Sequence, residues 1–307
     1  MERKSPRASS RALHRFALLT AGTTFLLIIA GALVVGFEAG LAVPDWPLSF
    51  GTWMPPMVGG VFYEHGHRMI AGTVGVLTTV LAVWLGWKDP RPWLKGLGLA
   101  AWAAVVVQAI LGGLTVLYLL PIPILIAHAG LAQIFFCLVL SLALFTSPAW
   151  EREDQAERPI PAGFQNLAAL ATGALFLQLL LGAALRHKAL GVMPHVMGAV
   201  VASALIGLLC YQAVTGLPER DELRKAARWI GGILVVQLAL GVFSYFARHF
   251  APTALSQTAV VIVTTAHVAT GALLLGGNLI LTLLAQRRLA ASSHLGSLAG
   301  SPQRTLA

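Results

Sequence analysis

Long apolar runs alternate with short polar segments along this chain, and eight of the runs are long enough to cross a membrane. A helix rises about 1.5 Å per residue, so about 20 apolar residues span the hydrocarbon of a bilayer. The pattern predicts an all-α polytopic membrane protein with eight transmembrane helices. The predicted spans are residues 16–36, 65–87, 96–118, 122–145, 165–185, 194–214, 229–247 and 259–284.

Composition agrees with this class and excludes an ordinary soluble enzyme. Hydrophobic residues make up 57% of the 307 residues and charged residues only 11%. The net charge of +9 does not indicate a nucleic-acid partner, because 17 of the 21 Lys and Arg residues fall in loops and tails on one side of the predicted membrane. By the positive-inside rule, we expect a multi-pass protein of the cell membrane with both termini in the cytoplasm. The four cations on the outer side are Arg68, Arg186, Lys188 and Arg248.

The eight spans divide into two similar halves. A charged, Pro-containing cytoplasmic linker at 147–163 separates an N-terminal half, 16–146, from a C-terminal half, 164–285. Cytoplasmic tails at 1–15 and 286–307 flank the halves. Spans three, five and seven share a motif of Gln, two residues, Leu and Gly, which runs from Gln108 to Gly112, from Gln178 to Gly182 and from Gln237 to Gly241. We therefore predict two duplicated four-helix bundles whose repeat unit is a helical hairpin.

Each even-numbered span carries one histidine near its start. Because these spans all run inward from the outer side, the four histidines are expected at one depth, near the outer face. Ionisable residues inside a membrane usually mark a functional site. The histidines are His67, His128, His195 and His267, and the small residues Ala71, Gly130, Gly198 and Gly271 follow them within about a turn.

Two histidines on opposed helices can bind a haem iron from both faces. We expect the small residues to let a flat macrocycle lie close to the backbone. Zinc or copper is the competing choice, but a zinc site uses three or four converging protein donors, and neither pair has a Cys or a further His beside it. The pattern favours haem. Four other histidines are expected in cytoplasmic tails (His14 and His294) or solvated in outer loops (His187 and His249).

The stretch Glu64-His65-Gly66-His67-Arg68 opens the second span. Glu64, His67 and Arg68 share one helix face, and an unpaired carboxylate at this depth would be costly, so we expect Glu64 to have a chemical use. The alternative to a functional site is that Glu64 and Arg68 are interfacial residues at a helix end. The preceding outer loop, about 37–63, carries Gly and Pro, and its run 43–51 cannot be a helix. The loop is long enough to fold over a site.

With these residues and the eight duplicated spans, the chain resembles the haem A synthase family over about residues 15–285. The outer run Pro44-Asp45-Trp46-Pro47 is similar to that family's loop. The resemblance implies that haem O binds near His67 and His128, and that His195 and His267 hold a haem b cofactor. It implies oxidation of the C8 methyl of haem O to a formyl group, which gives haem A for cytochrome oxidase. Implied partners are haem O synthase, oxidase assembly factors and an unidentified electron acceptor.

Within this resemblance, Glu64 and Arg68 are the expected catalytic residues. Glu64 would stabilise developing positive charge or activate water, and Arg68 would pair with Glu64 or with a haem propionate. One departure concerns the paired outer-loop cysteines of some family members. Val43 and Ser49 stand around the Asp-Trp-Pro run, and Cys137 and Cys210 both lie inside apolar runs, so the resemblance does not extend to a disulfide relay.

Two other functions fit part of the pattern. A transmembrane bis-histidine dihaem cytochrome would only transfer electrons, but haems stacked across the bilayer would need histidines at different depths. A carrier would need helices interrupted near the midplane, whereas the Pro residues here lie mostly in loops or at helix ends.

Overall fold

The protein is all-helical in a computed structural model that describes residues 7–151, 160–249 and 255–299. Eight helices of the described chain are long and apolar enough to cross a membrane, as predicted, and one short helix lies in the linker. The helices are α1 (Arg7–Gly36), α2 (Gly60–Lys88), α3 (Pro92–Leu117), α4 (Ile122–Phe145), α5 (Pro148–Glu151), α6 (Ala162–Arg186), α7 (Val192–Gly216), α8 (Asp221–His249) and α9 (Gln257–Ala299).

Several helices extend beyond the apolar runs that predicted them. α1 already begins at Arg7, α8 begins at Asp221, and α9 continues to Ala299. Charged side chains at a helix end can reach water while the backbone keeps its internal hydrogen bonds, so hydropathy marks the buried length rather than the helix ends. His14, predicted in a tail, lies in α1 with Nδ1 2.9 Å from the carbonyl oxygen of Ala143. The rest of the predicted tails, 1–6 and 300–307, and linker residues 152–159 lie outside the described residues.

The spans pack as two groups of four that meet along a shared face. In the first group α1 contacts α2 and α4, and α3 contacts α2 and α4. In the second group α6 contacts α7 and α9, and α8 contacts α7 and α9. Between the groups, α1 and α4 contact α9, and α4 also contacts α6. This packing is what two four-helix halves require, although the internal duplication itself stays a prediction.

Each group buries its own apolar core. The first core includes Leu81, Leu85 and Phe135, and the second includes Ile206, Leu209 and Leu281. Many large apolar side chains point outward instead, such as Trp229 and Val235 on α8. A helix surface that faces hydrocarbon has no reason to hide such residues, so this exposure fits a protein embedded in lipid.

All features of the candidate site lie at one end of the bundle, which we call the distal face. It consists of the ends of α1, α3, α6 and α8, the starts of α2, α4, α7 and α9, and the connections between them. The longest of these connections, residues 37–59, contains turns and no helix, as predicted from its Gly and Pro content.

Candidate functional site

Each of the four intramembrane histidines packs its ring against a glycine of the preceding helix. A Cβ added at that glycine would lie 3.0 to 3.3 Å from Cε1 of the ring, which is closer than ordinary van der Waals contact. The ring therefore takes up the space that a larger residue would need. The four pairs are Gly31 with His67, Gly112 with His128, Gly182 with His195 and Gly241 with His267.

Three of these glycines close the Gln-x-x-Leu-Gly motifs, which gives those motifs a structural role. The glutamine of each motif also holds the helix that bears the histidine. Gln108 donates from Nε2 to the carbonyl oxygen of His128 at 2.9 Å. Gln178 donates to the carbonyl oxygen of His195 at the same distance, and Gln237 accepts a hydrogen bond from the Thr270 hydroxyl.

Sequence reasoning missed the fourth glycine. Gly31 lies in α1, where Leu27 occupies the position of the glutamine, so the motif search did not include this helix. The signal that could have found it is positional, since every other histidine has a glycine near the end of the helix before it. The contact of Gly31 with His67 places α1 in the same relation to α2 as α3 has to α4.

Three of the small residues that follow the histidines lie close to side chains of α6. A Cβ at Gly130 would meet Leu180 at 2.7 Å, and one at Gly271 would meet Leu179 at 3.1 Å. A Cβ at Gly198 would meet the side chain of Gln178. The expectation that these glycines let a macrocycle lie close to the backbone stays a prediction.

The histidines form two pairs, one in each group of helices, and the geometry of the C-terminal pair is the better defined. The ring centroids of His195 and His267 are 6.3 Å apart, and the ring planes are inclined by 82°. A metal–imidazole bond is about 2 Å long and each ring centre lies about 1 Å beyond its nitrogen, so one metal ion between two rings requires roughly this spacing. The spacing of the pair would therefore allow both rings to ligate a single metal ion.

His67 and His128 form the second pair, within electrostatic range of each other. Nδ1 of each ring is buried and has no hydrogen-bond partner in the described part of the chain. The same is true of Nδ1 of His267. Buried polar atoms are normally hydrogen-bonded, but these nitrogens lie on the ring edge that packs against the glycine. No cluster of three or more His, Cys, Asp or Glu side chains suited to a metal ion occurs among the described residues, and each pair thus offers two ligands.

Glu64 is buried and fully engaged. Its Oε1 accepts a hydrogen bond from Nη2 of Arg68 at 2.6 Å, one turn later on α2, and its Oε2 accepts the backbone N–H of Val43 at 2.8 Å. The distal connection folds back over α2 and supplies the second donor. Of the two partners expected for Arg68, Glu64 or a haem propionate, the structure shows the ion pair with Glu64 on the same helix face.

Arg68 fixes the α1–α2 connection to α2. Its guanidinium donates to the carbonyl oxygens of Asp45 at 2.7 Å, Leu48 at 2.8 Å and Val43 at 3.2 Å, in addition to Glu64. We call the segment 43–51 the distal loop. Because one guanidinium collects three of its carbonyls, the course of the distal loop depends on Arg68.

Further contacts stiffen the distal loop. The Asp45 carboxylate accepts the backbone N–H groups of Phe50 and Gly51, both at 2.7 Å. The Gly51 N–H, followed by that of Phe50, holds the pKa of Asp45 below its ordinary value. The buried Ser49 hydroxyl lies 2.8 Å from Nδ1 of the buried His65. Sequence reasoning assigned no role to His65 or Ser49, and only the fold brings them together.

The distal loop also reaches α3. A Cβ at Gly113 would lie 2.7 Å from Cδ2 of Trp46, so the indole ring rests on the backbone at that glycine. Gly113 directly follows Gly112, against which His128 packs. The distal loop is thus anchored at α2 by Arg68 and at α3 by Trp46, next to both histidines of the N-terminal pair.

The end of α6 brings a second arginine to the distal face. Arg186 donates from Nη2 to the carbonyl oxygen of Ala32 in α1 at 2.9 Å. The next residue, His187, is partly buried rather than solvated as predicted. Burial, and then the neighbouring charge of Arg186, lower the pKa of His187. The side chains of His249 and His294 lie outside the described residues.

Fold and site together define a polytopic, all-helical membrane protein that holds two pairs of histidines at one end of its helices. A family model described as cytochrome oxidase assembly protein (COX15-CtaA) matches residues 58–272, which is more than half of the chain. The chain belongs to this family.

Individual relatives carry one name. The chain is 27% identical over 260 residues to a heme A synthase of Symbiobacterium thermophilum, covering 75% of this chain and 85% of the relative. It is 26% identical over 255 residues to a heme A synthase of Alkalihalophilus pseudofirmus, covering 81% of each. A match to a heme A synthase of Bacillus pumilus is 32% identical over 156 residues and covers half of each chain.

Proposed function

We propose that this protein is a haem A synthase, an enzyme that oxidises the C8 methyl group of haem O to a formyl group. Membership of the cytochrome oxidase assembly family and the shared name of its relatives support this function. The observation that carries it is the pair of histidines in each half, with all four rings packed against a glycine.

The two pairs would have different tasks. His67 and His128 would bind the substrate haem O, and His195 and His267 would ligate a haem b cofactor. The 6.3 Å spacing of the second pair supports ligation of one metal ion by both rings. When bound, haem b supplies one-electron redox chemistry that amino-acid side chains cannot provide.

Glu64 and Arg68 would be the catalytic residues of the substrate site. Arg68 forms an ion pair with Glu64, and the carboxylate stands one turn before His67 on α2. A fixed negative charge there stabilises positive charge that develops on the substrate, or accepts a proton from water, without reorganising at the moment of reaction. The distal loop, held by Arg68 and Trp46, would limit the access of bulk water to this charge.

The proposed function also has a location, an orientation in the membrane and partners. We infer a cell-membrane protein with cytoplasmic termini, so that the distal face lies outside, and two duplicated four-helix halves, 16–146 and 164–285. Haem O synthase, oxidase assembly factors and an unidentified electron acceptor are the proposed partners. An active alkaline phosphatase fused to the C-terminus would contradict this orientation.

The deciding experiment is chromatography of haems from cells that express the chain with a source of haem O. We expect haem A with the wild-type chain and none with His128→Ala, while His195→Ala and His267→Ala should change the low-spin haem b spectrum of the purified protein. Haem b at both sites, together with haem O that is never oxidised, would instead indicate an electron-transfer cytochrome.

A further inference from the structure

The connections at the distal face differ sharply in charge. The α1–α2 connection carries Glu38 and Asp45. In contrast, residues 118–121, 187–191 and 250–256 contain no Asp or Glu, and the helix ends beside them carry Arg186 and Arg248. Under the proposed orientation these cations lie on the side that the positive-inside rule disfavours, so they need a specific reason to be there.

Arg186 has few partners for a guanidinium in its position. A guanidinium has five N–H donors, and the hydrogen bond recorded for Arg186 in the described chain goes to the carbonyl oxygen of Ala32. Its Nε is buried and has no partner among the described residues. The ion pairs of the described chain lie elsewhere, and the charge of Arg248 acts on Arg186 from nearby.

An arrangement of this kind is unfavourable unless an anion completes it. Removing a guanidinium from water costs several kcal/mol, and a backbone carbonyl returns only part of that. A second cation nearby adds repulsion rather than compensation. Since the described chain supplies no carboxylate here, the missing anion is expected to come from a bound molecule.

The surroundings of Arg186 indicate which molecule. Ala32, its acceptor, follows Gly31, against which the His67 ring packs. His187, the next residue, lies within electrostatic range of His128. The side chain of Arg186 therefore reaches from the C-terminal half to α1, one residue from the glycine against which His67 packs, in the half where the proposed function puts a haem. A haem bears two propionate carboxylates, and a guanidinium binds carboxylate oxygens with two parallel hydrogen bonds.

We propose that Arg186 binds a carboxylate of the haem held by His67 and His128. The proposal rests on haem binding as described under the proposed function, and it adds a residue from the C-terminal half to the substrate site. Arg68 is less suited to this role, because hydrogen bonds to Glu64 and three carbonyl oxygens already use four of its five donors.

The test compares protohaem with its dimethyl ester, which has no free carboxylate. Each is titrated into purified protein that retains its C-terminal haem, in phosphatidylcholine nanodiscs, and the dissociation constant is read from the difference spectrum. Wild-type protein should prefer the free acid by roughly 10- to 100-fold, the range expected for a charge-assisted hydrogen bond. Arg186→Gln should bind acid and ester about equally, and Arg186→Lys should keep part of the preference.

Two controls assign the effect. Lys188→Gln removes the same charge from an exposed side chain two residues away and should keep the preference of the wild type. His128→Ala should abolish titratable binding of both compounds at this site. An unchanged preference in Arg186→Gln, or an equal loss in Lys188→Gln, would overturn the proposal. A preference that survives His128→Ala and disappears in His195→Ala would overturn the assignment to the N-terminal pair.

An anionic lipid could supply a similar oxygen, and a further comparison separates the two sources. If Arg186 binds lipid phosphate, wild-type protein will retain phosphatidylglycerol that Arg186→Gln loses, and wild type will bind acid and ester equally. That pair of results would overturn the proposal. Because the readout is an equilibrium constant, it is independent of turnover: loss of haem A formation with an intact acid preference would contradict the proposed enzyme and leave the carboxylate site standing.

Discussion

Two arginines at the distal face lie beside the same histidine pair in opposite electrostatic settings. Arg68 is paired with Glu64 and binds three backbone carbonyls of the distal loop. Arg186 reaches one backbone carbonyl, has a buried Nε without a described partner, and is repelled by Arg248. The protein itself supplies the counter-ion of Arg68, whereas no ion pair of the described residues includes Arg186.

The difference follows from the lengths and compositions of the connections. The α1–α2 connection is long enough to turn back over α2, so it brings its own acceptors to Arg68. The α6–α7 connection is short, contains Lys188 and no acid, and leaves Arg186 to reach across to α1. A cation whose acceptors are all supplied by the protein stabilises the fold, whereas a cation without a counter-ion can bind an anionic ligand.

Glu64→Ala would leave Arg68 without its carboxylate partner, and we expect it to have the largest effect on activity. We expect haem A formation to fall by about a hundred- to a thousand-fold, as is typical when one well-placed electrostatic group is lost, while haem b remains bound. Glu64→Gln keeps the shape but not the charge and should fail nearly as badly. Chromatography of cellular haems measures both, and normal haem A in the two variants would reduce Glu64 to a partner of Arg68.

Arg68→Gln and Arg186→Gln should change stability in different directions when no substrate haem is bound. Arg68→Gln leaves a buried carboxylate and three carbonyls without their donor and should destabilise the protein by about 3 kcal/mol. Arg186→Gln removes an uncompensated charge and should be neutral or stabilising, within about 1 kcal/mol. Thermal unfolding of both variants in the same detergent provides the comparison, and equal destabilisation would remove the distinction between the two arginines.

Gly241→Ala tests whether the C-terminal histidine pair depends on its glycine seats. The added Cβ would lie 3.0 Å from Cε1 of His267, so the ring must move, at a cost of about 1–3 kcal/mol. We expect a shifted haem b spectrum and weaker haem retention. Gly232→Ala in the same helix meets no atom within 4 Å and should leave the spectrum unchanged. Identical spectra for the two variants would indicate that the seat does not orient the ring.

The smallest expected effect is the pH dependence of the distal loop. The backbone N–H of Gly51 lowers the pKa of Asp45 from its ordinary value of 3.8, so this contribution to stability is present above that value and is lost as the pH falls through the lowered pKa. Hydrogen exchange at the Phe50 and Gly51 amides should quicken over that range. Asp45→Asn should show no such dependence, and a parallel change in Asp45→Asn would exclude the carboxylate as the cause.

Patterns local in sequence were sufficient for the spans and for the histidines. Apolar runs of membrane-spanning length predict helices, because in lipid every backbone polar group must be satisfied within the segment. An ionisable residue such as His267 inside such a run stands out for the same reason, since it would be costly without a function. The regular spacing of Glu64 and Arg68 likewise predicts their pairing, because residues four apart lie on one helix face.

Contacts between residues far apart in the chain were decided only by the tertiary structure. Three such contacts each join separate helices or loops. They are the packing of His67 on Gly31, the packing of Trp46 on Gly113 and the hydrogen bond from Arg186 to Ala32. No local periodicity encodes such contacts, because they depend on which helix faces meet and at what depth. For the same reason, the sequence determined that the distal face carries unbalanced cations, but only the packing of α6 against its neighbours showed which one lies beside the histidines without a counter-ion.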